Sequence, residues 1–478
     1  MMQRRLMGSG DLARAFPRVH FIGIGGAGMS GIAEVLVTLG YQVSGSDQND
    51  SAVTRRLAGM GATVHRGHAP GNVATADVVV ISSAIKADNP ELMAAHAQRI
   101  PVVPRAEMLN ELMRFKRGIA IAGTHGKTTT TSLVASVLSE GGLDPTFVIG
   151  GQLLSAGANA KLGSGQWLVA EADESDGSFL RLNPLIAVVT NIDADHLENY
   201  GGDFERVKAA FSEFLHRLPF YGLAVLCTDD AEVRVLAESM PRHVMCYGFA
   251  ENADARATAV RQEGGSMCFD LHLPESAPLP VRLNLPGRHN VLNALAAAAI
   301  GWQLGVTPQA IAHALESFQG IGRRFNVKGE IDFGRGTVLL VDDYGHHPRE
   351  LEAVFEAARG GWPQRRLVVA FQPHRYSRTR DLFDDFAKVL SSADALVLTE
   401  VYAAGEAVVV GADAKSLARA IRSRGRLDPV LVGSAAELPG LLADVLVDGD
   451  LLLVMGAGDI GHIASEIATH GFAGAQQP

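Results

Sequence analysis

The first part of the chain alternates short apolar runs with stretches in which apolar residues recur every three or four positions. Apolar runs of strand length lie at residues 19–24, 41–44, 62–65, 78–81 and 101–103. Strands that alternate with amphipathic helices predict a parallel sheet covered by helices. Near residues 115–117 the pattern restarts with a new strand at 118–122, so the first domain boundary is predicted there.

The rest of the chain repeats this alternation. The middle region has predicted strands at 167–171, 185–191 and 223–227, followed by an alanine-rich helix at 290–304. After the glycine-rich, doubly basic stretch 320–324, predicted strands return at 337–341, 366–371, 395–399, 429–432 and 450–455. The pattern predicts an α/β protein of three domains, at residues 1–116, 117–325 and 326–478.

Composition narrows the class of protein. The net charge of the 478 residues is -10 and no run of Lys and Arg occurs, so a nucleic-acid partner is not expected. The three cysteines are too far apart for a disulfide framework or a thiolate metal site. No secretory signal and no apolar stretch of membrane-spanning length is found, so we expect a cytoplasmic protein without membrane insertion. The oligomeric state is left open.

The first predicted strand leads into a glycine cluster. Gly23, Gly25 and Gly28 have G-x-G-x-x-G spacing between a strand and a helix, where backbone N–H groups can hold a diphosphate. Asp47 lies 19 residues beyond the last glycine, near the place of a ribose-binding acid. An NAD-dependent oxidoreductase and a purely structural helix-packing role both remain open here. A second cluster at 456–461 is interpreted as a tight strand-to-helix corner.

The strand at 118–122 leads into the strongest local motif, Gly123-Thr-His-Gly-Lys-Thr128. A Gly-Lys-Thr turn between a strand and a helix can cradle phosphate with its backbone N–H groups. Lys127 can neutralise the terminal phosphates and the Thr128 hydroxyl can bind Mg²⁺. Ile121 stands where the strict phosphate-loop pattern has glycine, so a shorter loop is predicted.

Acidic residues follow the next two predicted strands. Glu171 ends an apolar strand, the position from which ATP-using proteins hold magnesium. The acids at 173, 174 and 176 are interpreted as a solvated acidic loop. His196 lies near a strand end among acids, and a metal ligand and a structural histidine are weighed equally there.

At these residues the chain resembles the Mur ligase family, amide-forming enzymes of peptidoglycan synthesis. Five motifs in family order carry the resemblance, at residues 123–128, 171–176, 190–196, 287–293 and 342–348. The resemblance implies an N-terminal Rossmann-like domain for a UDP-sugar, a central P-loop ATPase-like domain and a C-terminal Rossmann-like domain for an amino acid. Residues 21–30, 342–348 and 372–378 are similar to the member that adds L-alanine to UDP-N-acetylmuramic acid.

The resemblance implies ATP and Mg²⁺ as cofactors, UDP-N-acetylmuramate and L-alanine as substrates, and an acyl-phosphate intermediate. Catalytic roles would fall on Lys127, Glu171, His196 and His346, and metal binding on Thr128, Glu171 and His196. ATP contacts would fall on Gly123, Thr124, His125, Gly126, Lys127, Thr128, Thr129, His289, Asn290, Asn293, Arg324 and Asp343. UDP-sugar contacts would fall on Gly25, Gly26, Ala27, Gly28, Met29, Asp47, His68, Ser82 and Arg105.

The amino acid would be bound by Tyr344, His346, Arg375 and Arg378. Helix capping and packing are the alternative for Asn290 and Asn293, and ion pairs with Asp381 or Asp384 are the alternative for the two arginines. A family member that recycles UDP-muramate by adding a tripeptide, and a non-enzymatic ATP-gated binding protein, are the other functions to be weighed.

Overall fold

The computed structural model describes residues 17–155 and 158–474, and the chain separates into two compact units. Unit 1 comprises the described residues up to 256 together with 271–278 and 292–314. Unit 2 comprises 257–270, 279–291 and the described residues from 315 onward. No helix in the described part of the chain has both the length and the apolar character needed to cross a membrane.

The N-terminal part of unit 1 forms a parallel sheet with the strand order β3-β2-β1-β4-β5. Its elements are β1 Arg18–Ile22, α1 Ala27–Thr38, β2 Gln42–Asp47, α2 Ala52–Gly59, β3 Thr63–Arg66, β4 Val78–Ile81, α3 Pro90–Ala97, β5 Val102–Pro104 and α4 Arg105–Phe115. The strand order reverses between β1 and β4, and ligands of such sheets bind at that point. The glycine turn after β1 lies at this reversal.

The central part of unit 1 forms a sheet in which β6 lies between β10 and β9, in the order β12-β11-β10-β6-β9-β7-β8. Its elements are β6 Arg117–Ala122, α5 Lys127–Glu140, β7 Thr146–Leu153, β8 Ala158–Lys161, β9 Trp167–Glu171, β10 Ile186–Val189, α6 Phe204–His216, β11 Leu223–Cys227, α7 Ala231–Ser239 and β12 His243–Gly248. β7 and β8 pair antiparallel, whereas β6 pairs parallel with both neighbours. The carboxyl ends of β6, β9 and β10 therefore share one edge.

The elements between residues 255 and 316 contribute residues to both units. β13 Ala255–Glu263 begins beside β12, and β14 Ser266–His272 and β15 Leu279–Leu283 continue the pairing order β15-β14-β13. Two helices follow, α8 Arg288–Gln303 and α9 Pro308–Glu316. The predicted helix at 290–304 is thus confirmed, with its start two residues earlier.

The C-terminal part of unit 2 forms a sheet in the order β16-β17-β21-β18-β19-β20, parallel except for β16. Its elements are β16 Asn326–Asp332, β17 Thr337–Asp343, α10 Pro348–Gly361, β18 Leu367–Phe371, α11 Tyr376–Asp381, α12 Phe383–Leu390, β19 Ala395–Thr399, α13 Ala414–Ser423, β20 Val430–Val432, α14 Leu438–Val445, β21 Leu451–Met455 and α15 Ile460–Gly474.

Both faces of this sheet are buried, because alternate residues of each strand enter different cores. Leu339 and Val369 pack into a core with helices α10, α12 and α13, whereas Leu340 and Val368 pack into a core with α14 and α15. Strands buried on both faces appear in the sequence as continuous apolar runs. That is why the sequence pattern located these strands.

The glycine cluster at 456–461 forms a close corner between β21 and α15. Gly456 has φ +147°, and a Cβ there would lie 2.8 Å from the carbonyl oxygen of Gln372. A Cβ on Gly461 would lie 2.3 Å from the Arg323 guanidinium. Gly456 is required by its close approach to backbone, and Gly461 leaves room for the Arg323 guanidinium, which agrees with the structural interpretation. The predicted domain boundaries 1–116, 117–325 and 326–478 remain a prediction.

Candidate active site

The turn between β6 and α5 can be built only with glycine at two positions. Gly123 has φ +132°, and a Cβ there would lie 2.0 Å from Thr190 Oγ1. Gly126 caps α5 with φ +83°, and a Cβ there would lie 2.6 Å from Asn293 Oδ1. Left-handed backbone is costly for residues with a Cβ. The turn therefore lies directly against its neighbours and leads straight into the N-terminus of α5.

The segment after β10 holds this turn in shape. Thr190 Oγ1 donates to the carbonyl oxygen of His125 at 2.6 Å, and the His125 N–H donates to Asn191 Oδ1 at 2.8 Å. The Asp193 N–H donates to Thr124 Oγ1 at 2.9 Å, and Asp193 Oδ2 lies 3.1 Å from His125 Nε2. The motif at 190–196 thus fixes the conformation of the motif at 123–128.

Lys127 is the charged centre of the turn. Its Nζ donates to the carbonyl oxygens of Gly123 at 2.7 Å and Thr124 at 3.1 Å, and lies 3.0 and 2.8 Å from the two carboxylate oxygens of Glu174. Burial disfavours the charge, but Glu174 and Asp173 outweigh burial and raise the pKa of Lys127. Burial raises the pKa of Glu174 to about 7, against the lowering by Lys127.

The predicted metal ligands follow strands that flank this turn. Glu171 ends β9, and its Oε1 accepts from the Gly150 N–H at 2.7 Å. Thr128 is buried in the first turn of α5. His196 follows β10 with φ +55°, and its Nε2 lies 3.5 Å from Asp195 Oδ2. The Glu171 carboxylate and the Thr128 hydroxyl are oxygen ligands of the kind that Mg²⁺ binds, so these two residues fit the ion.

The glycine turn after β1 is closed by two side chains. The Gly25 N–H donates to Asp47 Oδ2 at 2.9 Å, so the predicted ribose acid also anchors the turn. A Cβ on Gly28 would lie 2.6 Å from an Arg105 guanidinium nitrogen, and Arg105 Nη2 lies 3.2 Å from Asp173 Oδ2. Arg105 therefore lies between the glycine turn and the acidic segment after β9.

Other predicted UDP-sugar residues lie around the same sheet edge. The Gly26 N–H donates to the carbonyl oxygen of Gly23 at 3.2 Å, and the next residue, Ala27, begins α1. Met29 is buried in α1, and Ser82 follows the last residue of β4. His68 Nδ1 lies 2.9 Å from Ser46 Oγ.

In unit 2 the predicted amino-acid residues form an aromatic and cationic cluster. The Cζ atoms of Arg323 and Arg324 lie 5.0 and 5.2 Å from the centroid of the Tyr344 ring. The His346 ring lies 5.4 Å from Tyr344 and 5.9 Å from His374. Burial, together with Arg378, lowers the pKa of His346 to about 3. The imidazole is therefore neutral at physiological pH.

The two predicted carboxylate-binding arginines lie at the start of α11. Arg375 precedes the helix with φ +70°, and its N–H donates to the carbonyl oxygen of Tyr402 at 2.9 Å. Arg378 lies one turn along the helix. Asp381, an ion-pair partner considered for these arginines, contacts Arg380 at 2.7 Å.

The predicted ATP contacts Asp343, Arg324 and His289 lie in unit 2 and have structural contacts of their own. Asp343 accepts from the N–H groups of Phe325 and Gly345, both at 2.6 Å, and burial raises the pKa of Asp343 to about 6. Arg324 Nη1 lies 3.9 Å from Glu350, and burial lowers the pKa of His289 to about 4.

The two asparagines make the contacts expected of the packing alternative. Asn290 Nδ2 donates to the carbonyl oxygen of Pro286 at 2.7 Å. Asn293 Oδ1 accepts from Thr130 Oγ1 at 3.1 Å in unit 1. Thr129, another predicted ATP contact, is buried in the same helix as Thr130. Nucleotide contact by these residues remains a prediction.

Comparison with known proteins accounts for most of the chain. Three family models match the chain: "Mur ligase family, catalytic domain" at residues 18–117, "Mur ligase middle domain" at residues 121–301 and "Mur ligase, glutamate ligase domain" at residues 323–458. A UDP-N-acetylmuramate–L-alanine ligase of Xanthomonas campestris pv. campestris (strain B100) is 73% identical over 475 residues, which cover 99% of this chain and 100% of the relative.

The chain belongs to the Mur ligase family. The UDP-N-acetylmuramate–L-alanine ligase of Xanthomonas oryzae pv. oryzae (strain PXO99A) is 72% identical, with 99% of each chain covered. The solved UDP-N-acetylmuramate-alanine ligase of Thermotoga maritima is 30% identical with a TM-score of 0.80, covering 94% of this chain and 97% of that one. The three-domain α/β fold predicted from the sequence is thereby confirmed.

One sequence interpretation of this Mur ligase is wrong. The acids after β9 were expected to form a solvated loop, and Asp176 is indeed exposed. Glu174, however, is only 3% exposed and contacts Lys127, and Asp173 is paired with Arg105. Their partners come from distant segments of the chain, so a local pattern of acids cannot reveal the burial.

Glu91 is a further buried acid that the sequence did not single out. It is fully buried in the first turn of α3, where its Oε2 accepts from Ser46 Oγ at 2.5 Å and lies 3.4 Å from His68 Nδ1. Burial disfavours its charge, but His20, Ser46 and Asn72 outweigh burial and lower the pKa of Glu91 to about 2. An acid in a first helical turn is common, so the sequence carries no distinguishing signal.

His374 and Tyr402 were also missed as neighbours of the predicted amino-acid site. Their rings stack at 5.5 Å with 10° between the planes. Burial, with Arg378 and Arg375, lowers the pKa of His374 to about 4. The only indication of His374 in the sequence is its place within the motif at 372–378. Tyr402 lies in the segment after β19, which no motif marks.

Proposed function

We propose that this Mur ligase joins L-alanine to the lactyl carboxylate of UDP-N-acetylmuramic acid at the expense of ATP, the first amino-acid addition of peptidoglycan synthesis. The observation that carries this proposal is 73% identity, over 99% of the chain, to ligases named for that reaction. A solved murein peptide ligase from Psychrobacter arcticus is 22% identical with a TM-score of 0.70, which supports the shared fold alone. The relatives thus favour the alanine reaction over tripeptide recycling.

The reaction needs an activated carboxylate, because a carboxylate is a poor acyl donor to an amine. A lactyl carboxylate oxygen attacks the γ-phosphorus of ATP, the bond to the β-phosphate oxygen breaks, and ADP leaves. Lys127 neutralises charge where these two anions meet. The backbone N–H groups at the N-terminus of α5, which Gly126 caps, bind the remaining phosphates. A bound Mg²⁺ would be held by Thr128, Glu171 and His196, and would supply further positive charge.

The second half of the reaction uses the acyl phosphate. The uncharged amine of alanine attacks the acyl carbon, the nitrogen loses one proton to solvent, the tetrahedral oxyanion collapses, phosphate leaves and an amide remains. Arg375 and Arg378 fit the carboxylate of alanine, because a guanidinium group binds a carboxylate through two parallel hydrogen bonds. Tyr344 and a neutral His346 then face the small side chain without adding charge.

The UDP-sugar is assigned to the N-terminal part of unit 1. The turn containing Gly25 and Gly28 lies where the strand order reverses, and its N–H groups suit a diphosphate. Arg105 is placed between that turn and the acidic segment, so it can hold the sugar-linked anion near Lys127. The substrates and ATP make the cytoplasm the expected compartment.

A panel of amino acids tests this proposal. Purified protein should release phosphate only when ATP, UDP-N-acetylmuramate and an amino acid are all present, with L-alanine the preferred amino acid. Phosphate release that ignores the UDP-sugar would overturn the ligase assignment. Tight binding of NADH in place of the UDP-sugar would instead favour the oxidoreductase.

A further inference from the structure

The ammonium group of Lys127 has its hydrogen-bonding capacity filled. An ammonium group carries three N–H donors. The carbonyl oxygens of Gly123 and Thr124 and the carboxylate of Glu174 lie within 3.1 Å of the nitrogen. A phosphate can therefore bind Lys127 only in exchange for one of these partners.

Glu174 is the partner that a phosphate can replace. The two carbonyl groups belong to a turn whose backbone is fixed by Thr190 and Asn191. Glu174, by contrast, contacts Lys127 through its side chain, and its carboxylate is negatively charged like a phosphate. Exchange of one anion for another leaves the turn unchanged.

The surroundings of Glu174 make it costly to lose the cation. Lys127 approaches from α5, while burial and, to a smaller extent, the neighbouring Asp173 raise the pKa of Glu174. Tyr200, from the 3-10 turn at Leu197–Tyr200, donates to the Glu174 backbone oxygen at 2.5 Å. Arg105, from α4, is bound to Asp173. A buried carboxylate that loses its paired cation becomes protonated rather than stay charged.

We infer that Glu174 competes with the nucleotide inside the protein: its carboxylate occupies Lys127 until terminal phosphates displace it, and the displaced carboxylate then takes up one proton from solvent. This inference rests on the proposed binding of ATP at this turn. It makes Glu174 a positioning residue, which holds the ammonium group in place before the nucleotide arrives.

The competition has a definite pH dependence. With a pKa of about 7 in the free protein, Glu174 is mostly protonated at pH 6 and mostly ionised at pH 8. Nucleotide binding that requires the protonated form is therefore weakened about tenfold at pH 8 and hardly at all at pH 6. Gln at this position cannot ionise, so it removes the dependence.

Calorimetric titration with the non-hydrolysable analogue AMP-PNP and Mg²⁺ tests the inference in wild type, Glu174→Gln and Asp176→Asn. The last is a matched control, because Asp176 is an exposed acid of the same segment. Glu174→Gln should bind about tenfold tighter than wild type at pH 8 and within about twofold of it at pH 6. Asp176→Asn should follow wild type at both values. The ratio of the dissociation constants of two variants at one pH is independent of the titration of the nucleotide, because both variants bind the same nucleotide.

Proton uptake supplies a second readout that needs no variant. Titrations at pH 8 in buffers of different ionisation enthalpy should show that wild type takes up close to one proton on binding AMP-PNP. Absence of uptake, or a Glu174→Gln protein that binds equally or more weakly at pH 8, would overturn the inference while leaving nucleotide binding intact. A wild type that binds no nucleotide at either pH would overturn the proposed function as well.

Discussion

Replacing Lys127 by methionine separates the role of this residue in catalysis from its role in stability. Methionine keeps an unbranched side chain but loses the ammonium group. In catalysis the variant lacks a cation where the anions of ATP and the carboxylate meet. Loss of one such electrostatic contact costs about 3–4 kcal/mol of transition-state stabilisation, or roughly a hundredfold to a thousandfold in rate.

The effect on stability should depend on pH, because Lys127 is paired with Glu174. At pH 6 Glu174 is largely protonated, and the variant loses only hydrogen bonds, at a cost of about 1–2 kcal/mol. Above pH 7 the carboxylate that is ionised in wild type must be protonated in the variant. This adds about 1.4 kcal/mol for each further pH unit. Stability of Lys127→Met should therefore fall, relative to wild type, as the pH rises from 6 to 8.

The double variant Lys127→Met with Glu174→Gln is the control. It removes both charges, so the difference in stability between this variant and wild type should stay constant above pH 7. Its activity should stay low. Urea unfolding at pH 6, 7 and 8 and steady-state ADP formation measure the two effects. Near-normal turnover of Lys127→Met would refute the catalytic role, and a double variant as sensitive to pH as the single one would refute the pairing.

Three further predictions follow from other contacts. Gly123→Ala places a Cβ 2.0 Å from Thr190 Oγ1 at a residue with positive φ, so calorimetry should show that nucleotide binding is lost. Gly71→Ala is the control and should bind nucleotide normally, because nothing lies within 4 Å of a Cβ at Gly71. Glu91 has its pKa lowered from 4.5 to about 2, so it stabilises the fold above pH 4.5 and ceases to do so as the pH falls toward 2; acid unfolding of Glu91→Gln should show a weaker pH dependence than wild type. Arg378→Lys should raise the KM for L-alanine about tenfold and leave the KM for ATP unchanged in steady-state assays, and equal changes in both would contradict carboxylate binding.

The strands buried on both faces were predictable from the sequence. β4, β9, β11 and β19 have the predicted bounds, since their residues form uninterrupted apolar runs. Strands without a continuous apolar run were not predicted. β13, for example, has buried side chains only in its first three residues, is half-buried or exposed from Thr258 onward and ends with polar residues, so it has no run of apolar residues. β7 contains Gly150 and Gly151, which break the strand pattern.

The motifs predicted which residues lie together within unit 1, because the carboxyl ends of adjacent parallel strands share an edge. The turn at Gly123, the acid Glu171 and the segment of His196 follow strands β6, β9 and β10, which are neighbours. The burial of Glu174 and Glu91 could not be predicted in the same way. Each depends on partners more than 40 residues away in sequence, Lys127 and Ser46 respectively.

The central claim is that the turn containing Lys127 promotes transfer of the γ-phosphate to the sugar-borne carboxylate. UDP-N-acetylmuramate labelled with ¹⁸O in its lactyl carboxylate tests this directly, with the released phosphate analysed by ³¹P NMR. An acyl-phosphate intermediate predicts that each phosphate carries one ¹⁸O atom from the carboxylate and that the other remains in the amide. Phosphate without the label, alongside formation of the amide, would contradict the account.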